Sequence, residues 1–105
     1  MTETHTQEPR RSRQKRIVEL EEFKLWLADL EGHPLLHVNG PAFATAVLTV
    51  DFGTPLEECK ISPEASGELT NRMRLVTKIL CKEKDASNVR VQTDTSNGIW
   101  WASVG

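Results

Sequence analysis

Three histidines and two cysteines have the widest chemical range in this chain, and their spacing decides what they can do. Imidazole titrates near neutral pH and a thiolate is a strong nucleophile. A Cys/His pair, a Ser/His/Asp set or a His/Cys/carboxylate cluster would therefore mark catalysis or metal binding. No such pattern is visible. His5 stands in a polar N-terminal stretch. His33 and His37 are spaced to share a helix face, but Gly32 and Pro34 forbid a helix there. His37 instead falls in a short strand, on the Leu48 side in the expected pairing, and reads as a partly buried histidine at the sheet end. Cys59 and Cys81 make no close ligand pair, and two cysteines in 105 residues do not suggest a disulfide scaffold. Cys81 reads as a small buried hydrophobe beside Leu80, and Cys59, in a charged connection, as the more reactive thiol. Glu57 and Glu58 are adjacent, not spaced as hydrolase carboxylates are. The glycines are scattered at turns, with no phosphate loop. The expectation is a non-enzymatic protein with no catalytic residue, metal site or cofactor.

Charge says more. The net charge is −2, but it is unevenly distributed. A basic cluster, Arg10, Arg11, Arg13, Lys15 and Arg16, stands near the N-terminus. It is followed by Glu19, Glu21, Glu22, Asp29 and Glu31 against Lys24, and later by Asp51, Glu57, Glu58, Glu64 and Glu68 against Lys60. The balance then reverses, with Arg72, Arg74, Lys78, Lys82, Lys84 and Arg90 against Glu83 and Asp85. If these segments keep to separate sides the surface is dipolar, which steers and orients a partner. The basic cluster also has the composition of a solubilising tail.

Those charges need elements to position them. Ser62 to Lys84 reads as the central helix. Ser62 is a good cap and Pro63 suits the first helical position, although Gly67 could delay regular helix to Ser66 or Glu68. Leu69, Met73, Val76 and Leu80 form its apolar face, and Arg74, Lys78 and Lys82 form a basic ridge on the far side. A first helix runs from about Ser12 to Glu31, with Leu20, Phe23, Leu27 and Leu30 on one face and Val18 and Leu25 roughly opposite. Gly32 ends it. Leu35 to Val38 followed by Asn39-Gly40 reads as a strand and a two-residue hairpin turn. The return strand, Ala42 to Phe52, then faces Leu48, Val50 and Phe52 to the core and sets Leu36 opposite Phe43. After the central helix, Val89 to Asp94 and Ile99 to Val104 form a second hairpin around Asn97-Gly98. Its parity puts Trp100 in the core and Trp101 on the opposite face, beside Arg90.

The predicted fold class is α+β, in the order α-β-β-α-β-β. Residues 1–11 form a flexible basic arm, and 12–105 form one domain with a mostly antiparallel four-stranded sheet and two helices packed on it. Hydrophobic content of 38% suits a folded chain, and the N-terminus lacks the apolar core of a secretory signal. A cytoplasmic protein without a membrane partner is expected. If both helices share one sheet face, the other exposes Trp101 and Arg90, with Phe43, Val47 and Leu36 nearby, a composition common at interface hot spots. The favoured function is a protein-binding module, such as a regulator, inhibitor or assembly subunit. The alternative is a nucleic-acid-binding protein using the arm and the Arg74/Lys78/Lys82 ridge, with Trp101 stacking on bases. The acidic body weighs against that alternative. A homodimer through the second sheet face is compatible with the same pattern.

Overall fold

Ser62 and Pro63 start the helix around which the core is built. In the computed structural model, which describes residues 8–39 and 45–105 (8–16 by backbone alone), the Ala65 amide donates to the Ser62 hydroxyl at 3.0 Å. That bond satisfies one of the amides a helix leaves open at its first turn. The helix, α3, spans Pro63–Leu80 and passes through Gly67 without delay. Leu69, Met73 and Val76 are buried as their spacing requires, with Thr77 beside them, while Leu80 is half-buried.

The helix stops at Leu80, short of the expected Lys84. The Glu83 amide donates to the Lys78 carbonyl (2.8 Å) and the Lys82 amide to the Ile79 carbonyl (3.2 Å). Lys82 has φ 54°. These two bonds and the left-handed residue make a Schellman motif, in which glycine is the usual occupant of the Lys82 position. The left-handed conformation costs an L-residue about 1–2 kcal/mol, partly offset because glycine loses more freedom on folding. Lys82→Gly is therefore expected to stabilise by roughly 1 kcal/mol, read as a higher urea midpoint at unchanged slope.

The early stop also exchanges the environments of the two cysteines. Cys81, at the helix end, is exposed, whereas Cys59 is only 2% exposed. The segment after Pro55 forms a single helical turn, α2 (Leu56–Cys59), that folds the Cys59 thiol inward, 3.5 Å from the Pro55 carbonyl. Desolvation followed by the Glu58 charge pushes the Cys59 thiol up, and desolvation followed by Glu83 does the same to Cys81. Neither is a poised thiolate.

The first helix, α1, spans Glu8–Ala28, beginning ahead of the expected Ser12 and ending before Glu31. Gly32 (φ 88°) and His33 (φ 46°) turn the chain after it. Residues 1–7 of the expected arm lie outside the described residues. Phe23 and Leu27 enter the core, flanked by Leu20, Trp26 and Leu30. The Phe23 and Trp26 rings stack at 6.1 Å. Arg72 of α3 lies over Trp26, its Cζ 4.8 Å from the ring centroid, and pairs with Glu68 at 2.6 Å. A cation over an indole face is attracted by the ring quadrupole, so Arg72 ties α1 to α3.

Four strands complete the fold: β1 (Leu35–Val38), β2 (Leu48–Asp51), β3 (Val89–Asp94) and β4 (Ile99–Val104), with a 3-10 turn (Ala86–Asn88) leading into β3. They form one antiparallel sheet in the order β1-β2-β4-β3. The α-β-β-α-β-β order holds, with α2 inserted as one extra turn. The second hairpin pairs Asp94 with Ile99 across residues 95–98, as expected.

The first hairpin is a correction. Val38 pairs with Leu48 and Leu36 with Val50, and the Asn39 amide donates to the Val47 carbonyl, so residues 39–47 form the connection. The two-residue turn at Asn39-Gly40 and the Leu36–Phe43 pairing do not occur. The shift flips the parity of β1: Leu36 turns to the core side and His37, expected on the Leu48 side, turns to the opposite one. Of the expected return strand, residues 42–44 lie outside the described residues and the strand itself is confined to Leu48–Asp51.

Candidate partner-binding face

Pairing divides the sheet side chains into two faces. Leu36, Val50, Trp100 and Thr93 line up across the inner face, and Val38, Leu48, Ala102 and Val91 form the next row. The buried cluster joins these rows to Phe23 and Leu27 of α1, Cys59 and Leu56 of α2, and Leu69, Met73 and Val76 of α3. All three helices therefore pack on the inner face. Trp100, at 5% exposed, is the core tryptophan.

The outer face alternates with it. Its central row is His37, Thr49, Trp101 and Gln92, one residue from each strand. On one side of that row lie Leu35, Asp51, Ile99 and Asp94, and on the other Arg90 paired with Ser103. Leu35 is 62% exposed, Trp101 and Ile99 are half-buried and Arg90 is exposed. Thr49 is fully buried, and its hydroxyl has no hydrogen-bond partner among the described residues. Its cross-strand neighbours on this face are His37 and Trp101, the two largest side chains of the row.

Charged groups at the rim are partly committed to turns. Asp51 accepts from the Gly53 amide at 2.8 Å, and Asp94 from the Ser96 amide at 3.1 Å and the Asn97 side-chain amide at 2.9 Å. They hold the chain reversals at the sheet end. Among the described strand residues of this face Arg90 is the cation.

The remaining basic residues named from the sequence are elsewhere. Arg74 and Lys78 are half-buried on α3, on the inner side of the sheet. The Arg74 Nε reaches back to the Val89 carbonyl at 3.5 Å, the long limit of a hydrogen bond. Lys82 has left the helix and so left the ridge. Asp85 accepts from the Ser87 amide (3.0 Å), and its bonds to Ser87, aided by the Lys78 charge, hold its carboxyl below the usual range. Trp101 and Arg90 thus share one face, and Arg74, Lys78 and Lys82 do not join them. Arg10, Arg11, Arg13, Lys15 and Arg16 lie in the first half of α1, where only the backbone is described.

Other chemistry is sparse. An open cleft of about 240 Å³ lies between Pro55, Glu57, Thr95 and Ser96. It is smaller than the roughly 300–1,000 Å³ of ligand pockets and has no aromatic wall. Among the described residues no three His, Cys, Asp or Glu side chains gather to hold a metal ion, and no helix is long and apolar enough to cross a membrane.

His37 is the outer-face residue that sequence reasoning missed, hidden by the misplaced register; the alternation of the return strand already set Thr49 opposite Leu48 and Val50. Arg72 was missed as a link between helices, although its spacing from Glu68 already marked an i, i+4 ion pair.

The fold and this face define a two-layer α+β domain with helices on one side of an antiparallel sheet and, on the other, Leu35, Ile99 and Trp101 set among polar and charged side chains. No protein-family model matches the chain, and no curated protein or solved structure is significantly similar to it.

Proposed function

We propose that this chain is a protein-binding module without catalytic activity, a regulator, inhibitor or assembly subunit, whose contact surface is the outer sheet face centred on Trp101. One observation carries the reading: α1, α2 and α3 contribute to a single cluster on the inner face. Leu35, Ile99 and Trp101 are thereby left on the outer one, with Arg90 at its margin. A half-buried tryptophan on the same face as Leu35 and Ile99, with an arginine at the edge, suits a partner that offers an apolar ridge and a carboxylate. The nucleic-acid alternative is weakened because the α3 ridge is broken: Arg74 turns to the Val89 carbonyl and Lys82 stands beyond the helix end.

The test is affinity capture from a cell extract on the immobilised full chain, with Trp101→Ala, Arg90→Glu and a control, Leu75→Ala, on α3. A defined protein captured by wild type and control is expected to weaken tenfold or more with Trp101→Ala, the scale of a hot-spot truncation. Melting temperature should change little. Equal capture by Trp101→Ala would overturn the assignment of the face. Sub-micromolar binding to DNA or RNA that falls steeply with salt would put the nucleic-acid reading in its place.

A further inference from the structure

We propose that β3 pairs with β3 of a second copy of this chain, antiparallel across a two-fold axis at Gln92, so that two four-stranded sheets join edge to edge. In the order β1-β2-β4-β3 the edge strands are β1 and β3. β1 has four residues and follows Pro34, a short form with a proline at hand, which discourages pairing at an edge. β3 has six residues and no proline. Its inward residues are Val89, Val91 and Thr93, so no charge points inward from it either.

Backbone bonding decides which groups of β3 are open. The Gly105 amide donates to the Asn88 carbonyl at 3.2 Å, and these two residues stand opposite one another in the β3–β4 register. Hydrogen-bonded and non-bonded pairs alternate along an antiparallel ladder. Arg90, Gln92 and Asp94 therefore bond to β4, and the amides and carbonyls of Val89, Val91 and Thr93 point away from it. Val89 is already engaged, its amide donating to the Ala86 carbonyl and its carbonyl accepting from Arg74. The outward groups of Val91 and Thr93 have no partner among the described residues.

Those two residues fix the register. Pairing Val91 of each copy with Thr93 of the other uses the open groups and puts the axis at Gln92. An axis at Val91 would need the occupied Val89. An axis at Thr93 would need Thr95, whose carbonyl already accepts from the Leu56 amide.

Charge selects the same register and the second copy as occupant. On the outer face Arg90 of each chain falls opposite Asp94 of the other, at non-hydrogen-bonded positions where facing side chains stand closest. Neither alternative axis forms an Arg–Asp pair. The Asp94 oxygens each accept one bond within the chain, from the Ser96 amide and the Asn97 side chain, and each keeps a lone pair for a guanidinium. Gln92 meets Gln92 at the axis, two side chains that both donate and accept. The α3 cations stay apart. Val89, where Arg74 is held, falls opposite residue 95 of the copy, so the two Arg74 sites are about 20 Å apart along the ladder, against a screening length of about 8 Å at physiological salt. Trp101 is the cross-strand neighbour of Gln92, and the two outer faces become one surface with a tryptophan on each side of the axis.

The test is sedimentation equilibrium of the full chain over a wide concentration range, followed by disulfide trapping. A species of twice the 11.8 kDa chain mass is expected as concentration rises. Thr93→Pro removes an outward amide that no bond within the chain uses, a position where an edge strand accepts proline, and is expected to raise the dissociation constant roughly tenfold or more. Arg90→Asp, at an exposed position, sets an acid against Asp94 of the copy and is expected to weaken the dimer likewise. Trp101→Ala is expected to leave the dimer intact, so this result stands or falls apart from the partner-binding role of the outer face. In a Cys81→Ser background, Gln92→Cys is expected to give the 92–92 disulfide far more readily than Arg90→Cys gives the 90–90 link. A chain that stays monomeric at every concentration would overturn the proposal. So would a dimer that survives Arg90→Asp but is lost with Trp101→Ala, or 90–90 links that form as readily as 92–92 links.

Discussion

Trp100→Ala is expected to lower stability by about 3–5 kcal/mol, the range for truncating a buried aromatic, while Trp101→Ala changes it by less than about 1.5 kcal/mol, as loss of a cross-strand contact does. The two residues are adjacent and chemically identical, so the contrast isolates the face each occupies. Trp100 pairs with Val50 on one side and Thr93 on the other, beneath the helices. Its truncation opens a cavity that neighbouring strands close only in part. One feature places the cost toward the lower end of that range. The Trp100 indole N–H is buried without a partner among the described residues, so the wild type already bears the penalty of a desolvated donor. Trp100→Phe removes that donor with a smaller loss of volume and is expected to cost well under half as much as Trp100→Ala. Urea titrations of the three variants check the order. Near-equal losses for Trp100→Ala and Trp101→Ala would mean that the outer face is as buried as the inner one.

That contrast was legible because a turn around Asn97-Gly98 gives one parity whether its loop has two residues or four. The pairing of Val89–Asp94 with Ile99–Val104 therefore set Trp100 inward whichever loop formed. The apolar face of α3 was legible for a similar reason: Leu69, Met73 and Val76 repeat at the helical period, and no competing period runs through them. The first hairpin was not. Asn39-Gly40 is a strong local turn signal, but burial of β1 decides the register. Pairing Val38 with Leu48 turns both Leu36 and Val38 toward the inner face and leaves His37 outside. The two-residue turn would instead have turned the imidazole inward, where a polar ring needs a hydrogen-bond partner. Two aliphatic side chains and the avoided burial of one polar group outweigh the preference of one turn.

The candidate site divides along the same line. Trp101 and Arg90 were legible because they belong to the second hairpin, and Thr49 because it alternates with Leu48 and Val50, whereas the face of His37 depends on the register of the first. The basic ridge failed at its last residue because Lys82 occupies a left-handed position that glycine usually marks, so no residue type announced the end of α3. The placement of the two cysteines failed with it: Cys81 lies one residue beyond that end, and Cys59 is carried inward by a helical turn too short to show a periodic pattern.

Gly98→Ala is expected to destabilise by about 3 kcal/mol or more, although it adds a single methyl group to a turn. Gly98 has φ +66°, and a Cβ there would stand 2.0 Å from the Thr54 carbonyl oxygen. The left-handed conformation alone costs alanine about 1–2 kcal/mol. The clash adds to it because the opposing atom belongs to the backbone and cannot swing aside as a side chain can. Relief requires the 95–98 turn to lift from the 52–56 segment, where the Phe52 amide donates to the Gly98 carbonyl (2.9 Å) and the Leu56 amide to the Thr95 carbonyl (2.9 Å). Each such bond contributes on the order of 1 kcal/mol, and both are strained or lost together. These bonds hold the start of α2 against the tip of the second hairpin, so lifting the turn also loosens Cys59 from the core. Gly98→Ala should therefore speed reaction of Cys59 with a thiol reagent in a Cys81→Ser background, under conditions where the chain remains folded. Lys82→Gly, which acts at the end of α3 and not on this turn, should leave that rate unchanged or slower. A Gly98→Ala chain with wild-type stability and an unreactive Cys59 would show that the turn does not rest on Thr54.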